Sequence, residues 1–237
     1  MKIVVTGGDG RFAKVLKALN TKHMILYPNK VQLNILSKKN IDNYFEKNKP
    51  QIVIHCAGLS RPMQIHDKEI EKSIDLNIIG TANIVKICSK FNIKLIYFST
   101  SYVYPGVKGT YNEKDYLLPK NNYAWSKLGG EASVQMYKNS LILRLSMTER
   151  PFVHKKAFIN VKTSFIYQDD VAKILLKLLN QKGIINIGGK SQSIFEFAKK
   201  ENKFVKKSFL KKKDLNKIPK DSSLDISKLK KILKKYK

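Results

Sequence analysis

Tyr123 and Lys127 stand four residues apart in the run Tyr123-Ala124-Trp125-Ser126-Lys127. On a helix that spacing puts a phenol and an ammonium on one face. An ammonium close to a phenol favours the phenolate. An ordinary tyrosine, with a pKa near ~10, is a poor acid at neutral pH, and lowering it by ~3 units takes ~4 kcal/mol of differential interaction. A tyrosine so adjusted can exchange a proton with a carbonyl oxygen while a hydride moves at the carbon. Alone the pair is weakly specific, because the chain holds 11 tyrosines and many lysines. What lies upstream gives it weight.

Lys2-Ile3-Val4-Val5-Thr6 is a short β-branched run and reads as a buried strand. Gly7, Gly8, Asp9 and Gly10 follow, and Arg11 to Leu19 carries helical spacing of apolar residues. Strand, glycine turn and helix in this order are the setting of a dinucleotide fingerprint. Its spacing is Gly7-x-x-Gly10-x-x-Ala13, with Ala in the last, small-residue place. The glycines allow a tight turn and close approach of a pyrophosphate to the helix N-terminus. Gly7, Gly8, Asp9, Gly10, Arg11 and Phe12 are therefore expected to line a cofactor. The second strand is expected at His23–Tyr27, followed by Pro28-Asn29-Lys30 with no acidic residue for a ribose hydroxyl. Arg11 and Lys30 are the candidates to meet a 2′-phosphate, so NADP(H) is favoured over NAD(H).

The positioning elements follow from the pattern. Gln51–Gly58 reads as a strand leaving into a small-residue turn, Ile74–Phe91 as a helix, and Lys94–Ser101 as a strand ending in hydroxyls. Asn122–Tyr137 reads as a helix, Leu141–Leu145 as a strand, Asp169–Asn180 as a helix and Gly183–Ile187 as a short strand. Such alternation predicts a parallel, doubly wound α/β sheet. Ligands in such sheets lie beyond the carboxyl ends of the strands. Gly7–Gly10, Ala57–Gly58 and Ser99–Ser101 all fall at such ends, which adds Cys56, Ala57, Gly58 and Ser99 to the cofactor candidates.

The length of 237 residues and the 43% apolar content suit one α/β domain with a small appended lobe. The formal charge of +28 predicts attraction to polyanions: nucleotide substrates, nucleic acid or an acidic surface. Most of the lysines, including the run Lys211-Lys212-Lys213, read as solvated. Cys56 and Cys88 sit in apolar surroundings and read as core thiols of a reducing compartment. No metal-ligand spacing, membrane-length apolar stretch or secretory leader is visible, so a cytoplasmic protein with no metal is expected. The tail after Lys199 is Lys-rich but holds Phe204, Val205, Phe209, Leu210, Leu224, Ile226, Leu229, Ile232 and Leu233, so part of it should pack.

Taken together, several motifs resemble the extended short-chain dehydrogenase/reductases. They are Thr6-Gly7-Gly8-Asp9-Gly10, Cys56-Ala57-Gly58, Asn77-Ile78-Ile79-Gly80-Thr81, Ser99-Thr100-Ser101-Tyr102-Val103-Tyr104 and Tyr123-x-x-x-Lys127. Within that family the chain is most similar to the dTDP-4-dehydrorhamnose reductase group. The most specific stretch adds Tyr111-Asn112-Glu113-Lys114-Asp115, Pro119 and the run Tyr123 to Glu131. A second match is Pro219 to Leu229, similar to the C-terminal substrate-lobe segment of that group.

The resemblance implies a Rossmann-type fold, with a substrate lobe formed by about 145–168 and 188–237. It also implies reduction of a nucleotide-activated 4-keto sugar by NAD(P)H. Thr100 would bond the substrate carbonyl and Tyr123 would donate the proton. Lys127 would hold the nicotinamide ribose and acidify Tyr123, Ala57, Gly58 and Leu59 would pass beside the cofactor, and Asn77 would also belong to the cofactor site. Epimerase or dehydratase chemistry is the alternative, and a non-catalytic cofactor binder using its basic surface on nucleic acid is the rival of another class. A homodimer is compatible with each.

Two departures affect the substrate. Ser101 stands where the group has Asp, and the segment between Arg144 and Asp169 is short. Ser101, Tyr102, Arg61 and Arg144 are the substrate candidates. Arg61 reads equally as a bidentate partner of a phosphate or a surface cation. Arg144, inside an apolar strand, reads equally as a reach toward a diphosphate or a structural pairing. Tyr104, His55 and His66 read as packing residues.

Overall fold

The computed structural model describes residues 1–236. The strands are, in chain order, β1 (Lys2–Thr6), β2 (Met24–Leu26), β3 (Ile52–His55), β4 (Lys94–Thr100), β5 (Ser140–Leu145), β6 (Met147–Thr148), β7 (Lys156–Phe158), β8 (Lys162–Thr163), β9 (Ile166–Tyr167), β10 (Gly183–Ile187), β11 (Gln192–Ser193) and β12 (Lys206–Ser208). Six of them form a parallel sheet in the order β10-β5-β4-β3-β1-β2. The order runs outward both ways from the centre, as in a doubly wound fold.

The helices are α1 (Arg11–Lys17), α2 (Lys38–Asn48), α3 (Ile65–Lys68), α4 (Ile70–Ile74), α5 (Gly80–Lys90), α6 (Asn122–Gln135), α7 (Gln168–Leu178), α8 (Ile194–Lys199) and α9 (Ser227–Leu233). They cover both faces, which is why the strands are almost uninterrupted runs of buried β-branched residues. Alternate side chains point to opposite faces. Ile3, Val5, Ile52, Ile54, Ile96 and Leu143 join Phe12, Leu16, Leu175 and Leu229 in one core. Val4, Val53, Leu95, Tyr97 and Ile142 join Ile41, Phe45, Ile84, Cys88 and Val134 in the other.

Three elements differ from expectation. α2 has no counterpart in the pattern, because it buries only Ile41 and Phe45 among Lys and Asn. The single helix expected from Ile74 is α4, a π-helical turn over Asp75–Ile79, and then α5. The wide turn places Asn77 in the interior, 1% exposed. Lastly, the tail does not stay in the lobe. Leu229 of α9 enters the main core, and Lys228 Nζ donates to the Ile184 carbonyl at 2.6 Å.

The lobe is made of three two-stranded pairs, β6 with β9, β7 with β12 and β8 with β11. It has its own small core of Phe152, Ala157, Tyr167, Phe197, Ala198 and Val205. It stands beyond the carboxyl ends of β4 and β5 and closes one side of a cleft there.

Candidate active site

At the end of β1, Gly7 takes φ +71°, and a Cβ there would stand 2.9 Å from Ala57 Cα. A side chain on Gly8 would run into the Tyr27 carbonyl, and one on Gly10 would lie 2.9 Å from the Gly7 carbonyl oxygen. The turn is closed by Gly10 N donating to Gly7 O at 2.8 Å and tied to the end of β2 by Gly8 N donating to Pro28 O at 2.9 Å. α1 begins with no side-chain cap and no acidic residue in its first turn. Its first backbone N–H groups therefore lack intrahelical partners. A bare helix start beside a cradle that any Cβ would fill fits a dinucleotide pyrophosphate. The Phe12 ring is buried edge-on to Phe98 at 4.8 Å and does not face the turn, so only its backbone remains for a ligand there. Asp9 is exposed on the turn.

The neighbouring strand end is held by a buried relay. Thr6 Oγ1 lies 2.7 Å from His55 Nδ1 and accepts from Ala57 N at 3.1 Å, while His55 Nε2 lies 3.1 Å from Thr81 Oγ1. Burial pulls the His55 pKa down to about 3, so the ring is neutral and structural. Gly58 takes φ +155°. Beyond it, Leu59 N donates to Asn77 Oδ1 at 2.7 Å, and Asn77 Nδ2 donates to Leu59 O at 2.9 Å and to Ser126 Oγ at 2.8 Å. Asn77 was expected at the cofactor. Its amide is instead spent on the turn and on α6, so it positions both.

α6 starts from an Asn121 cap, whose side chain accepts from Ala124 N. It carries Tyr123 and Lys127 as the spacing predicts. Tyr123, Thr100, Ser101, Tyr102, Arg11 and Arg61 line one cleft of about 960 Å³ with Ser99, Ser60, Met147, Phe152, His154, Lys155, Lys156 and Phe165. The Tyr123 ring is braced by His66 at 5.1 Å and by Tyr102, edge-on, at 6.4 Å. Burial raises its pKa, the Thr100 hydroxyl draws it back, and Arg61 and Arg11 pull the same way.

Lys127 was expected to acidify Tyr123. Instead its Nζ lies over the Tyr97 ring, 4.3 Å from the centroid, and burial lowers its own pKa to about 8. The cations acting on Tyr123 are the two arginines.

For Arg144, of the two readings, the structural pairing is the one found. Arg144 is 2% exposed and does not reach the cleft. Its Nη2 lies 2.6 Å from Oε1 of Glu131, and its Nη1 donates to Tyr104 Oη at 2.8 Å. Ser99 Oγ donates to Glu131 Oε2 at 2.5 Å, so this hydroxyl faces the same ion pair rather than a cofactor. A charge buried in a strand requires a partner, and Glu131 lies four residues beyond Lys127 on α6.

Arg11 is also redirected. It bonds Ser60 Oγ and Glu149, so Lys30, exposed after Pro28, is the remaining 2′-phosphate candidate. Cys56 is half-buried and free, its thiol pushed up to about 12 by burial. Glu131, Glu149 and the lobe residues were not foreseen. A carboxylate four positions after Lys127 and an Arg in a strand were the only signals for the first, and nothing local marks Glu149.

A six-stranded parallel, doubly wound sheet with a glycine cradle at an uncapped helix start, and Thr100 at the end of β4 sharing a cleft with Tyr123 of α6, define a Rossmann-type α/β protein. Residues 1–187 match the family model described as RmlD substrate binding domain, and the chain belongs to that family. Among relatives, methionine adenosyltransferase 2 subunit beta of Xenopus laevis is 32% identical over 114 residues, 48% of this chain and 34% of that protein. dTDP-D-glucose 4,6-dehydratase of Dictyostelium discoideum is 35% identical over 147 residues, 56% of this chain and 32% of that protein. The matches thus span about a third of the length of these curated relatives. The structure of dTDP-4-dehydrorhamnose reductase from Bacillus anthracis, solved with NADP, superposes with a TM-score of 0.86 at 24% identity, covering 97% of this chain and 91% of that one.

Proposed function

We propose that the protein reduces the keto group of a nucleotide-activated 4-keto sugar with NADPH. The observation that carries this reading is Tyr123 and Thr100 on one cleft that is also lined by Arg11, the residue that follows the glycine cradle. Gly7, Gly8, Gly10 and the first amides of α1 would hold the pyrophosphate, Lys30 the 2′-phosphate and Lys127 the ribose. A bound reduced nicotinamide supplies the hydride. Thr100 donates a hydrogen bond to the keto oxygen, Tyr123 delivers the proton to the same oxygen, and the Arg11 and Arg61 charges stabilise the phenolate left behind. Ser101 and Tyr102 line the sugar side. Free Cys56 and Cys88 suit a reducing compartment such as the cytoplasm.

Dehydration is the second reading, suggested by the Dictyostelium relative. It needs an acid and a base at the sugar carbons. The carboxylate at the cleft mouth, Glu149, is tied to both Arg11 and Arg61, which favours simple reduction.

The test is a panel of nucleotide 4-keto sugars with NADPH or NADH, following cofactor absorbance and product mass. Net NADPH oxidation with product two hydrogens heavier is expected. Loss of water without cofactor oxidation would give the dehydratase reading. Cofactor binding without turnover of any ketosugar would leave a binding subunit.

A further inference from the structure

The proposed chemistry uses the charges of Arg11 and Arg61 but not the carboxylate on which they converge. Arg11 Nη1 lies 3.2 Å from Oε1 of Glu149, and Arg61 Nη1 lies 2.6 Å from Oε2. Arg11 Nη2 also donates to Ser60 Oγ at 3.2 Å. The three residues come from the start of α1, the turn after β3 and the segment after β6, so the clasp spans the cleft mouth. The carboxylate is its most enclosed member, 18% exposed against 50% for Arg11 and 37% for Arg61. Both guanidiniums face the cleft that holds Thr100 and Tyr123, where Lys155 and Lys156 add further positive charge.

We propose that Glu149 is a place-holder, occupying in the free protein the seat that a substrate diphosphate takes between Arg11 and Arg61. This rests on the nucleotide-sugar reading above. A single carboxylate satisfies two guanidiniums through one oxygen each. A diphosphate offers more charge and more acceptor oxygens, and matches two planar forks in bidentate fashion. Exchange releases Glu149 and keeps both arginines paired. A neutral sugar or simple ketone cannot displace the carboxylate. Glu149 is thereby a specificity-determining residue that admits charged substrates to Tyr123.

Calorimetric titration of the whole protein with dTDP, at saturating NADPH, tests this. Glu149→Gln should bind dTDP about ten-fold more tightly, ~1.4 kcal/mol, with thymidine binding and the melting temperature unchanged. Adding Arg61→Gln to Glu149→Gln should abolish the gain. Unchanged or weaker dTDP binding by a folded Glu149→Gln protein overturns the proposal, as does an equal gain for thymidine or no dTDP binding by either protein. A gain confined to NADPH would give the arginines to the cofactor and overturn it as well. The gain is read without turnover, so its persistence in a protein that reduces no ketosugar would uphold the clasp and remove only the reductase reading.

Discussion

Tyr123 and Lys127 share one helix but sit in different surroundings. Burial keeps the Tyr123 phenol protonated at rest, which suits a proton donor. Tyr123→Phe should keep NADPH affinity, read by Trp125 fluorescence, and lower turnover by ~10²–10⁴-fold, the usual span for a lost general acid. Normal turnover would assign the acid elsewhere. Lys127 is charged below about pH 8 and neutral above it, because burial favours the neutral amine. If its charge holds the ribose, NADPH affinity should fall as pH rises through about 8, and Lys127→Met should flatten that profile.

Stability has the opposite slope. Between about 8 and the ordinary 10.5, the unfolded chain binds the Lys127 proton and the folded one does not, so stability rises with pH. Lys94, also lowered to about 8, adds to the rise, so Lys127→Met should reduce the slope seen in urea unfolding without abolishing it. The raised pKa of Tyr97 and Tyr123 works in the reverse sense at the alkaline end.

At the level of elements, α6 is pinned to the sheet by the Arg144–Glu131 pair. Ser99, Tyr104 and Asn186 close its network, with Tyr104 Oη donating to Asn186 Oδ1 at 2.9 Å. Taking both charges out of water cancels much of their attraction, whereas removing one strands the other. Arg144→Met should cost ~3–5 kcal/mol, and Arg144→Met with Glu131→Leu distinctly less, both read by urea denaturation. Equal losses would show that packing of the long side chains matters more than their charge. The π-helical turn does comparable work, since it turns Asn77 toward both the Leu59 turn and Ser126.

For the whole molecule, the +28 charge acts at long range. Screening at ~0.15 M salt shortens the field to ~8 Å. KM for an anionic substrate should therefore rise with salt while kcat changes little, because Thr100 and Tyr123 act in contact. Lys211, Lys212 and Lys213 are all exposed, and replacing them with Gln should weaken the salt dependence without unfolding the lobe. An unchanged profile would make that run a solvated face. Ile70, Ile74, Ile79 and Trp125 are exposed on α4, the π-helical turn and α6, which pack side by side. A homodimer burying them is expected in sedimentation, with Ile74→Asp shifting it toward monomer.

Local pattern was enough for the sheet, the glycine cradle and the helix that carries Tyr123 and Lys127. Each is written in short-range signals: β-branched runs, a glycine turn whose Cβ positions are blocked, and apolar residues at helical spacing. The limits of Lys2–Thr6 and Gly183–Ile187 agree with the reading residue for residue. α2 escaped it because only Ile41 and Phe45 bury against the sheet. Arg144 stands out inside an apolar strand, while Arg11 and Asn77 read only as cofactor candidates; their partners are 13, 138 and 18 residues away. A charged side chain's role depends on which opposite charge the fold brings to it, and that pairing is settled by packing between elements distant in the chain. The same holds for Glu149, an ordinary carboxylate in the sequence that chain folding sets between two arginines at the mouth of the cleft.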